Sequence, residues 1–166
     1  MAGGDATEIE TVPIEKGDDV QLVIGHAGFI KTAEDLYEAM MNSVPGVKFG
    51  LAFAEASGPC LVRSEGNSQD LVRLAEKNMA RIGAGHTFII LFKGAYPINL
   101  VSTIRDVCEV ARVYCATANP VEVLVAKTKL GRAVIGIVDG SATKGVEKEK
   151  DRAERKKFLR DMGYKL

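Results

Sequence analysis

The sequence has few of the residues that disulfide-linked or zinc-stabilised proteins need. It contains three cysteines, Cys60, Cys108 and Cys115, and two histidines, His26 and His86. Three cysteines cannot all pair within one chain, and none of them forms a C-x-x-C ligand pair. Neither histidine has a cysteine or carboxylate partner at a spacing that holds zinc. We expect buried or inert thiols, with a bridge at Cys60 or Cys108 as the alternative, and no resident metal.

The sequence also lacks an excess of charge and a long apolar run. Lys plus Arg equals Asp plus Glu at 22 each, so no overall field attracts nucleic acid or an anionic membrane. The longest apolar runs, at 87–92 and 133–138, have strand length, whereas a bilayer-spanning helix needs about 20 residues. The first 11 residues lack the basic and then apolar order of a secretory signal. These absences predict a cytoplasmic protein without a nucleic-acid or membrane partner.

Three common catalytic or nucleotide-binding motifs are missing. Gly140 and Gly145 have the spacing of a P-loop, but Val146 stands where that loop needs its lysine. The run 83–85 (GAG) follows a predicted helix and lacks the third glycine of a dinucleotide fingerprint, so we interpret it as a helix cap with a loop. No G-x-S-x-G nucleophile elbow is present. A Walker-type triphosphate site is therefore not indicated.

The length and composition that remain are those of one globular domain. A chain of 166 residues buries roughly 70% of its unfolded surface on folding, so it can build a core without disulfides or metals. Apolar residues make up 46% and charged residues 27%, as in ordinary soluble proteins. We find no internal repeat and no low-complexity linker. The sequence therefore predicts a single domain over residues 1–166, with a flexible N-terminus over 1–6.

The pattern of apolar residues predicts an α+β fold with a mixed β-sheet, hairpins and three to four helices. Alternation and β-branched runs predict strands at 7–14, 20–25, 47–56, 60–63, 87–92, 111–116, 121–127 and 132–138. Helical spacing predicts one helix capped by Thr32 and ended by Pro45-Gly46, and another from Asn67 or Ser68 to Gly83 or Gly85. Further helices are predicted at 98–107 and at 146–162, the latter a surface helix docked by its last turns.

Polar residues recur where the predicted strands end, which is where a rigid sheet usually places function. His26 and Glu55 each end an apolar run, Asn119 lies in the loop ATANP, and Asp139 follows the run 135–138. If these ends share one side of the sheet, they form one site. A carboxylate in an apolar strand such as Glu55 needs partners, so a structural role is as good an interpretation as a functional one. Asp139 precedes a glycine and is at least equally well explained as a turn residue.

Two further side chains could act on a charged or phosphorylated ligand. His86 stands between a glycine-rich loop and a strongly β-type run, so its ring could face a cleft and serve as base, proton donor or phosphoryl acceptor. The alternative is a hydrogen-bonded histidine at a strand start. Lys31 precedes a predicted helix N-terminus and could bind phosphate with it, or be a solvated surface lysine.

Several blocks resemble the family of adenosine-specific kinases from archaea and bacteria. The matching segments cover nearly the whole chain from residue 20 onward: 25–36 (GHAGFIKTAEDL), 44–59 (VPGVKFGLAFAEASGP), 82–92 (IGAGHTFIILF), 115–123 (CATANPVEV), 136–145 (GIVDGSATKG) and 158–166 (FLRDMGYKL). The resemblance implies a compact α+β oligomer that binds adenosine or AMP and carries a phosphohistidine. The family's G-H-[ST]-F block corresponds to residues 85–88, which makes His86 the candidate phosphorylated residue.

The first block departs from the family pattern at one position. It resembles G-Q-x-H-F-I-K, but here Gly28 stands at the place of the histidine. If that position carries the family's phosphohistidine, this chain lacks it unless His26 substitutes.

Two interpretations from different functional classes follow. In the first, the protein is a kinase in which a phosphoryl group passes through or near His86, with Glu55 or Asp139 as base or magnesium ligand. Lys31, His26, Asn119 and Lys144 then bind the ligand, and magnesium is the one cofactor left open. In the second, the same pocket binds or senses a nucleoside without turnover. The missing triphosphate loop favours the second interpretation, and the family name favours the first.

Overall fold

The computed structural model describes residues 7–166, which contain eight strands and four helices. The strands are β1 (Glu8–Pro13), β2 (Gln21–Ala27), β3 (Lys48–Ala54), β4 (Val62–Gly66), β5 (Thr87–Lys93), β6 (Val110–Thr117), β7 (Val121–Lys127) and β8 (Arg132–Asp139). The helices are α1 (Thr32–Met41), α2 (Gln69–Ile82), α3 (Pro97–Arg105) and α4 (Glu149–Asp161). The α+β class and the number of helices are confirmed within this part of the chain. The predicted flexible segment 1–6 lies outside the described residues.

The strands form two antiparallel sheets. The larger sheet has the order β4-β3-β5-β2-β6, and the smaller has the order β1-β7-β8. Every pairing among the described strands is antiparallel, so the prediction of one mixed sheet is wrong. The reason is that β5 inserts between β2 and β3. These two strands run in the same direction but never pair with each other, and sequence order alone does not reveal that insertion.

The larger sheet separates two apolar cores. One face of β5 contributes Ile89 and Leu91 to a core shared with α2 and the smaller sheet. The other face contributes Phe88, Ile90 and Phe92 to a core covered by α1 and α3. A strand that is buried on both faces has apolar residues at every position instead of at every second one. This explains the continuous apolar run at 87–92, from which the strand was predicted.

Small residues let α2 lie close against the larger sheet. Gly50, Ala52 and Ala54 alternate along β3, which places them on one face. A Cβ on Gly50 would lie 2.1 Å from the backbone nitrogen of Val72 in α2. The close approach of this helix therefore depends on the missing side chain.

The ends of α1 and α2 agree only partly with the predicted caps. Gly83 ends α2 in the left-handed conformation with φ 59°, as the sequence indicated. Thr32 is not the N-cap of α1, because Lys31 takes that position and Thr32 is the first helical residue. The Thr32 hydroxyl donates to the carbonyl of Phe29 and accepts from its amide. The hydroxyl thus fixes the loop that leads into the helix.

The C-terminal segment is the main departure from the predicted packing. Helix α4 has no buried residue, and Phe158 is 60% exposed, so the expected docking through Phe158, Leu159 and Met162 is absent in the single chain. The segment contacts the rest of the fold where the Tyr164 ring meets Tyr96 edge-on at a centroid distance of 6.3 Å. We call residues 140–166 the C-terminal arm. None of the helices in residues 7–166 is both long and apolar enough to cross a membrane.

Candidate functional site

The strand directions bring His26, Glu55 and His86 to the same end of the larger sheet. Strands β2 and β3 both run antiparallel to β5, so the ends of β2 and β3 lie beside the start of β5. His26 pairs with Thr87, and the His86 amide donates to the carbonyl of Ala54 at 2.7 Å. We call this edge the histidine end. Three of the residues predicted from sequence are therefore close together.

His86 is held in an uncommon backbone conformation by its neighbours. Its φ is 61°, in the left-handed region that few residues other than glycine adopt. Its amide is bonded to β3, and its carbonyl accepts from the amide of Ala27 at 2.9 Å. A non-glycine residue persists in this conformation only when the surrounding structure fixes it, and such residues are concentrated at functional sites.

The ring of His86 lies between two aromatic neighbours and remains accessible. It stacks on Phe53 with an interplanar angle of 9° and a centroid distance of 5.9 Å. The ring of His26 meets it edge-on, also at 5.9 Å. The His86 side chain is 37% exposed. The imidazole is therefore oriented by packing and can still be reached by a ligand.

Glu55 supplies a fixed negative charge beside this ring. Its Oε1 lies 3.8 Å from His86 Nε2, and its side chain is 8% exposed. The amide of Ala56 donates to Oε1 at 3.0 Å, while Arg63 Nη2 lies 3.2 Å from Oε2. The hydrogen bond from Ala56 lowers the pKa of the Glu55 carboxyl, and Arg63 and Ser57 lower it further. Glu55 is therefore an oriented carboxylate with the hydrogen-bonding and ion-pair partners that a buried carboxylate needs.

Position 28 and His26 complete the surroundings of the imidazole. A Cβ built on Gly28 would lie 3.4 Å from His86 Nδ1, so this residue faces the side of the ring that carries Nδ1. A larger side chain at the position where the family pattern has histidine would contact the His86 ring. Burial, followed by the neighbouring charges of His86 and Arg112, lowers the pKa of His26.

The ammonium group of Lys31 is ion-paired with two carboxylates of its own chain and is not free to bind a phosphate. Its Nζ contacts carboxylate oxygens of Asp35 and Glu109 and lies 3.7 Å from the sulfur of Cys108. Donor atoms of Asp35, Cys108 and Glu109 lie within 4.8 Å of one another, a spacing that could suit a metal. The lysine ammonium already supplies the positive charge for these groups. Its charge is thus largely neutralised where the sequence suggested phosphate binding.

Asn119 and Asp139 lie at the opposite end of the sheet. Thr117 of β6 pairs with Leu22, four residues before His26, which corresponds to about 13 Å along the strand. Thr117 Oγ1 and Asn119 Nδ2 both donate to Asp139 Oδ1 at 2.9 Å. This network joins the end of β6 to the end of β8 and satisfies the Asp139 oxygen. The structure therefore does not bring these two predicted residues to the histidine end.

Lys144 is exposed in the irregular segment between β8 and α4. The sequence predicts Glu55 or Asp139 as base or magnesium ligand, and the two carboxylates lie at opposite ends of the sheet. Each already has hydrogen-bonding or ion-pair partners.

A cavity of about 690 Å³ opens beside the histidine end. Its volume lies within the range of about 300–1,000 Å³ that is usual for small-molecule sites. It lies between the larger sheet, α2 and the turn from β7 to β8, and its lining includes Glu55, Cys60, Gly85, Thr128 and Arg132. Glu55 thus borders both this cavity and the imidazole of His86.

Sequence reasoning missed Arg63. Arg63 lies in the edge strand β4, and only its pairing with Phe53 places it near Glu55, which no local pattern reveals. The cysteines were expected to be buried or inert, and Cys60 and Cys108 are exposed free thiols, so burial does not apply to these two. Only Cys115 is partly buried, and burial raises the pKa of its thiol to about 12.

Comparison with known proteins identifies a family and a similar solved structure. The model of a family described as adenosine specific kinase matches residues 12–165. The crystal structure of PH1918 protein from Pyrococcus horikoshii OT3 is similar with a TM-score of 0.94 and 46% sequence identity. The match covers 97% of this chain and 99% of that one. No curated protein matches this chain.

Proposed function

The chain belongs to the adenosine-specific kinase family, and from that membership we propose that it binds adenosine or AMP beside the histidine end and accepts a phosphoryl group on His86. The observation that carries this proposal is the strained, accessible imidazole of His86, packed on Phe53 and faced by the Glu55 carboxylate. A neutral imidazole is a competent nucleophile near neutral pH. The adjacent cavity has the size that a nucleoside requires.

The role of each neighbour follows from its position. The negative charge of Glu55 acts on the imidazole of His86. His26 lies beside that imidazole and stays neutral, because burial lowers the pKa of His26. Lys31 orders the loop before α1 through its carboxylate partners. Asn119, Asp139 and Lys144 have no contact with the imidazole, so we assign them no step. A magnesium ion would enter with a phosphorylated ligand.

Binding without turnover is the second candidate function. It is favoured by the absence of any P-loop and by the ion-paired state of Lys31, which leaves little free positive charge for a triphosphate. In this case the cavity holds the purine and ribose, and no product forms. Both functions predict adenosine binding, and only the first predicts a labelled histidine.

We expect adenosine and AMP to bind and ATP to bind far more weakly. Titration calorimetry with the three ligands measures this directly. The variant His86→Asn is the suitable comparison, because asparagine tolerates the left-handed backbone that His86 adopts. We expect this variant to retain nucleoside binding and to lose phosphoryl labelling. Failure of all three ligands to bind the wild-type protein would refute the proposed ligand class.

Thiol labelling locates the ligand. Cys60 lines the cavity and is exposed, whereas Cys108 is also exposed but does not line it. We expect adenosine to slow the modification of Cys60 and to leave Cys108 unaffected. Equal rates at Cys60 with and without a bound ligand would place the nucleoside elsewhere.

We further propose a cytoplasmic homo-oligomer, in which the C-terminal arm contacts another copy of the chain. The arm leaves the side chains of Phe158 and Met162 exposed on its own chain. Its helix carries both signs of charge, which suits a protein surface better than a uniformly charged polymer such as nucleic acid.

A further inference from the structure

We infer that Glu55 holds His86 in the tautomer with its proton on Nε2, so that Nδ1, on the side of Gly28, is the nitrogen that accepts a phosphoryl group. The inference rests on the proposed function for the identity of the reaction. It adds which atom of His86 reacts and which residue selects it. Glu55 is a positioning residue in this scheme, because it acts through the imidazole and does not touch the ligand's phosphorus.

The position of the carboxylate favours a proton on Nε2. Its Oε1 lies 3.8 Å from Nε2, and the Ala56 amide and Arg63 hold the carboxylate in place. An anion attracts the positive end of an N–H bond and repels a lone pair, so the Nε2–H tautomer is the lower in energy. At 3.8 Å the contact is longer than a direct hydrogen bond, and the preference is electrostatic.

The same carboxylate disfavours a phosphoryl group on Nε2. A phosphoryl group carries about two negative charges near neutral pH. On Nε2 it would stand against the Glu55 carboxylate, whose side chain is 8% exposed, and the like charges would repel each other. On Nδ1 the neighbour is Gly28, which has neither charge nor side chain. The Nε2 side of the ring therefore faces a negatively charged side chain, whereas the Nδ1 side faces a residue without a side chain.

The lone pair of Nδ1 attacks the phosphorus of a phosphoanhydride or phosphoramidate donor. The P–O or P–N bond to the leaving group breaks, and the leaving group keeps the electron pair. The leaving group takes up a proton from the donor or from water. The imidazole gains positive charge that it shares with Nε2–H, and the Glu55 carboxylate stabilises that charge. This is the role that a carboxylate has beside a catalytic histidine in other enzymes.

The tautomer can be measured without any substrate. Long-range proton–nitrogen NMR correlation on ¹⁵N-labelled protein at about pH 8 distinguishes the two ring nitrogens of a neutral imidazole. His86→Asn assigns the His86 signals. We expect a proton on Nε2 and a bare Nδ1 in the wild type, and a mixture of tautomers in Glu55→Gln, whose amide has no net charge. Asp35→Asn removes a carboxylate that faces Lys31 instead and should leave the tautomer unchanged. A wild-type protein protonated mainly on Nδ1 would overturn the inference.

The reactive nitrogen can be tested with potassium phosphoramidate as a small phosphoryl donor. Nδ1 attacks its phosphorus, the P–N bond breaks, and ammonia leaves. Phosphorus NMR identifies the isomer formed. We expect the Nδ1 isomer in the wild type and a larger share of the Nε2 isomer in Glu55→Gln. An Nε2 product in the wild type, or no product on His86, would contradict the inference. Because neither measurement uses adenosine, a failure of nucleoside binding in calorimetry refutes the proposed function separately.

Discussion

At the scale of single residues, Lys31 is an exposed lysine whose ion-pair partner is a buried carboxylate. The side chain of Glu109 is 4% exposed although its partner Lys31 is 45% exposed. Burial alone would raise the pKa of Glu109, but hydrogen bonds from Lys31 and Cys108 outweigh it and set the pKa at about 2. The hydrogen bonds of Lys31 to Asp35 and then to Glu109 raise the pKa of the lysine. The ionised pair therefore ties the loop before α1 to the start of β6.

This pair predicts how stability depends on acid. A carboxyl whose pKa falls from 4.5 in the unfolded chain to about 2 in the folded one binds fewer protons when folded. Its stabilising contribution is complete above pH 4.5 and is lost as the pH falls toward 2. We expect the free energy of unfolding, from urea titrations across this interval, to fall less steeply in Glu109→Gln than in the wild type.

A matched carboxylate separates this effect from general acid unfolding. Asp70 pairs with Arg73 on the surface and its side chain is 90% exposed, so the pair contributes little to stability. Asp70→Asn should follow the wild-type dependence on pH. If Glu109→Gln also follows it, the Lys31 pair does not control the acid sensitivity.

At the scale of elements, the contact between α2 and β3 depends on a single missing side chain. Ala in place of Gly50 would put its Cβ 2.1 Å from backbone in α2, so the helix has to move away from the sheet. We expect Gly50→Ala to destabilise the protein by about 1–3 kcal/mol, the usual cost of overpacking a core. Gly131→Ala is the control, because a Cβ there has no atom within 4 Å and should change stability by less than about 0.5 kcal/mol. Equal denaturation midpoints for the two variants would contradict this account.

The sequence was informative about elements wherever the cause is local. The apolar runs at 87–92, 121–127 and 132–138 predicted β5, β7 and β8 correctly. The order of strands could not be predicted, because the insertion of β5 between β2 and β3 is a long-range event. The candidate site follows the same rule. Whether a strand end lies near His86 depends on strand direction, so His26 and Glu55 meet there while Asn119 and Asp139 do not.

At the scale of the whole molecule, the C-terminal arm lies outside both apolar cores. None of residues 141–166 is buried, so the two apolar cores are complete without them. We expect a chain ending at Thr143 to keep its melting temperature within a few degrees and to form smaller assemblies. Light scattering coupled to size-exclusion chromatography measures the mass.

A second variant tests the contact without removing the arm. The double substitution Phe158→Ala and Met162→Ala removes exposed apolar area from α4 and leaves its charges in place. It should also reduce the mass of the assembly. Unchanged mass in both variants would show that the arm does not join the copies.

The pairing of β1 with β7 has a consequence for how the protein emerges from the ribosome. Ile9 of β1 lies opposite Ala126 of β7, so more than a hundred residues must be synthesised before the first strand finds its partner. The segment β2 to β5 can begin to fold through its own strand pairings while the backbone of β1 is still unpaired. The unpaired strand contains Glu8, Glu10 and Pro13. In natural proteins, charged residues and proline in a strand reduce unwanted pairing with other chains. The composition of the first strand thus suits the order of synthesis as well as the finished sheet.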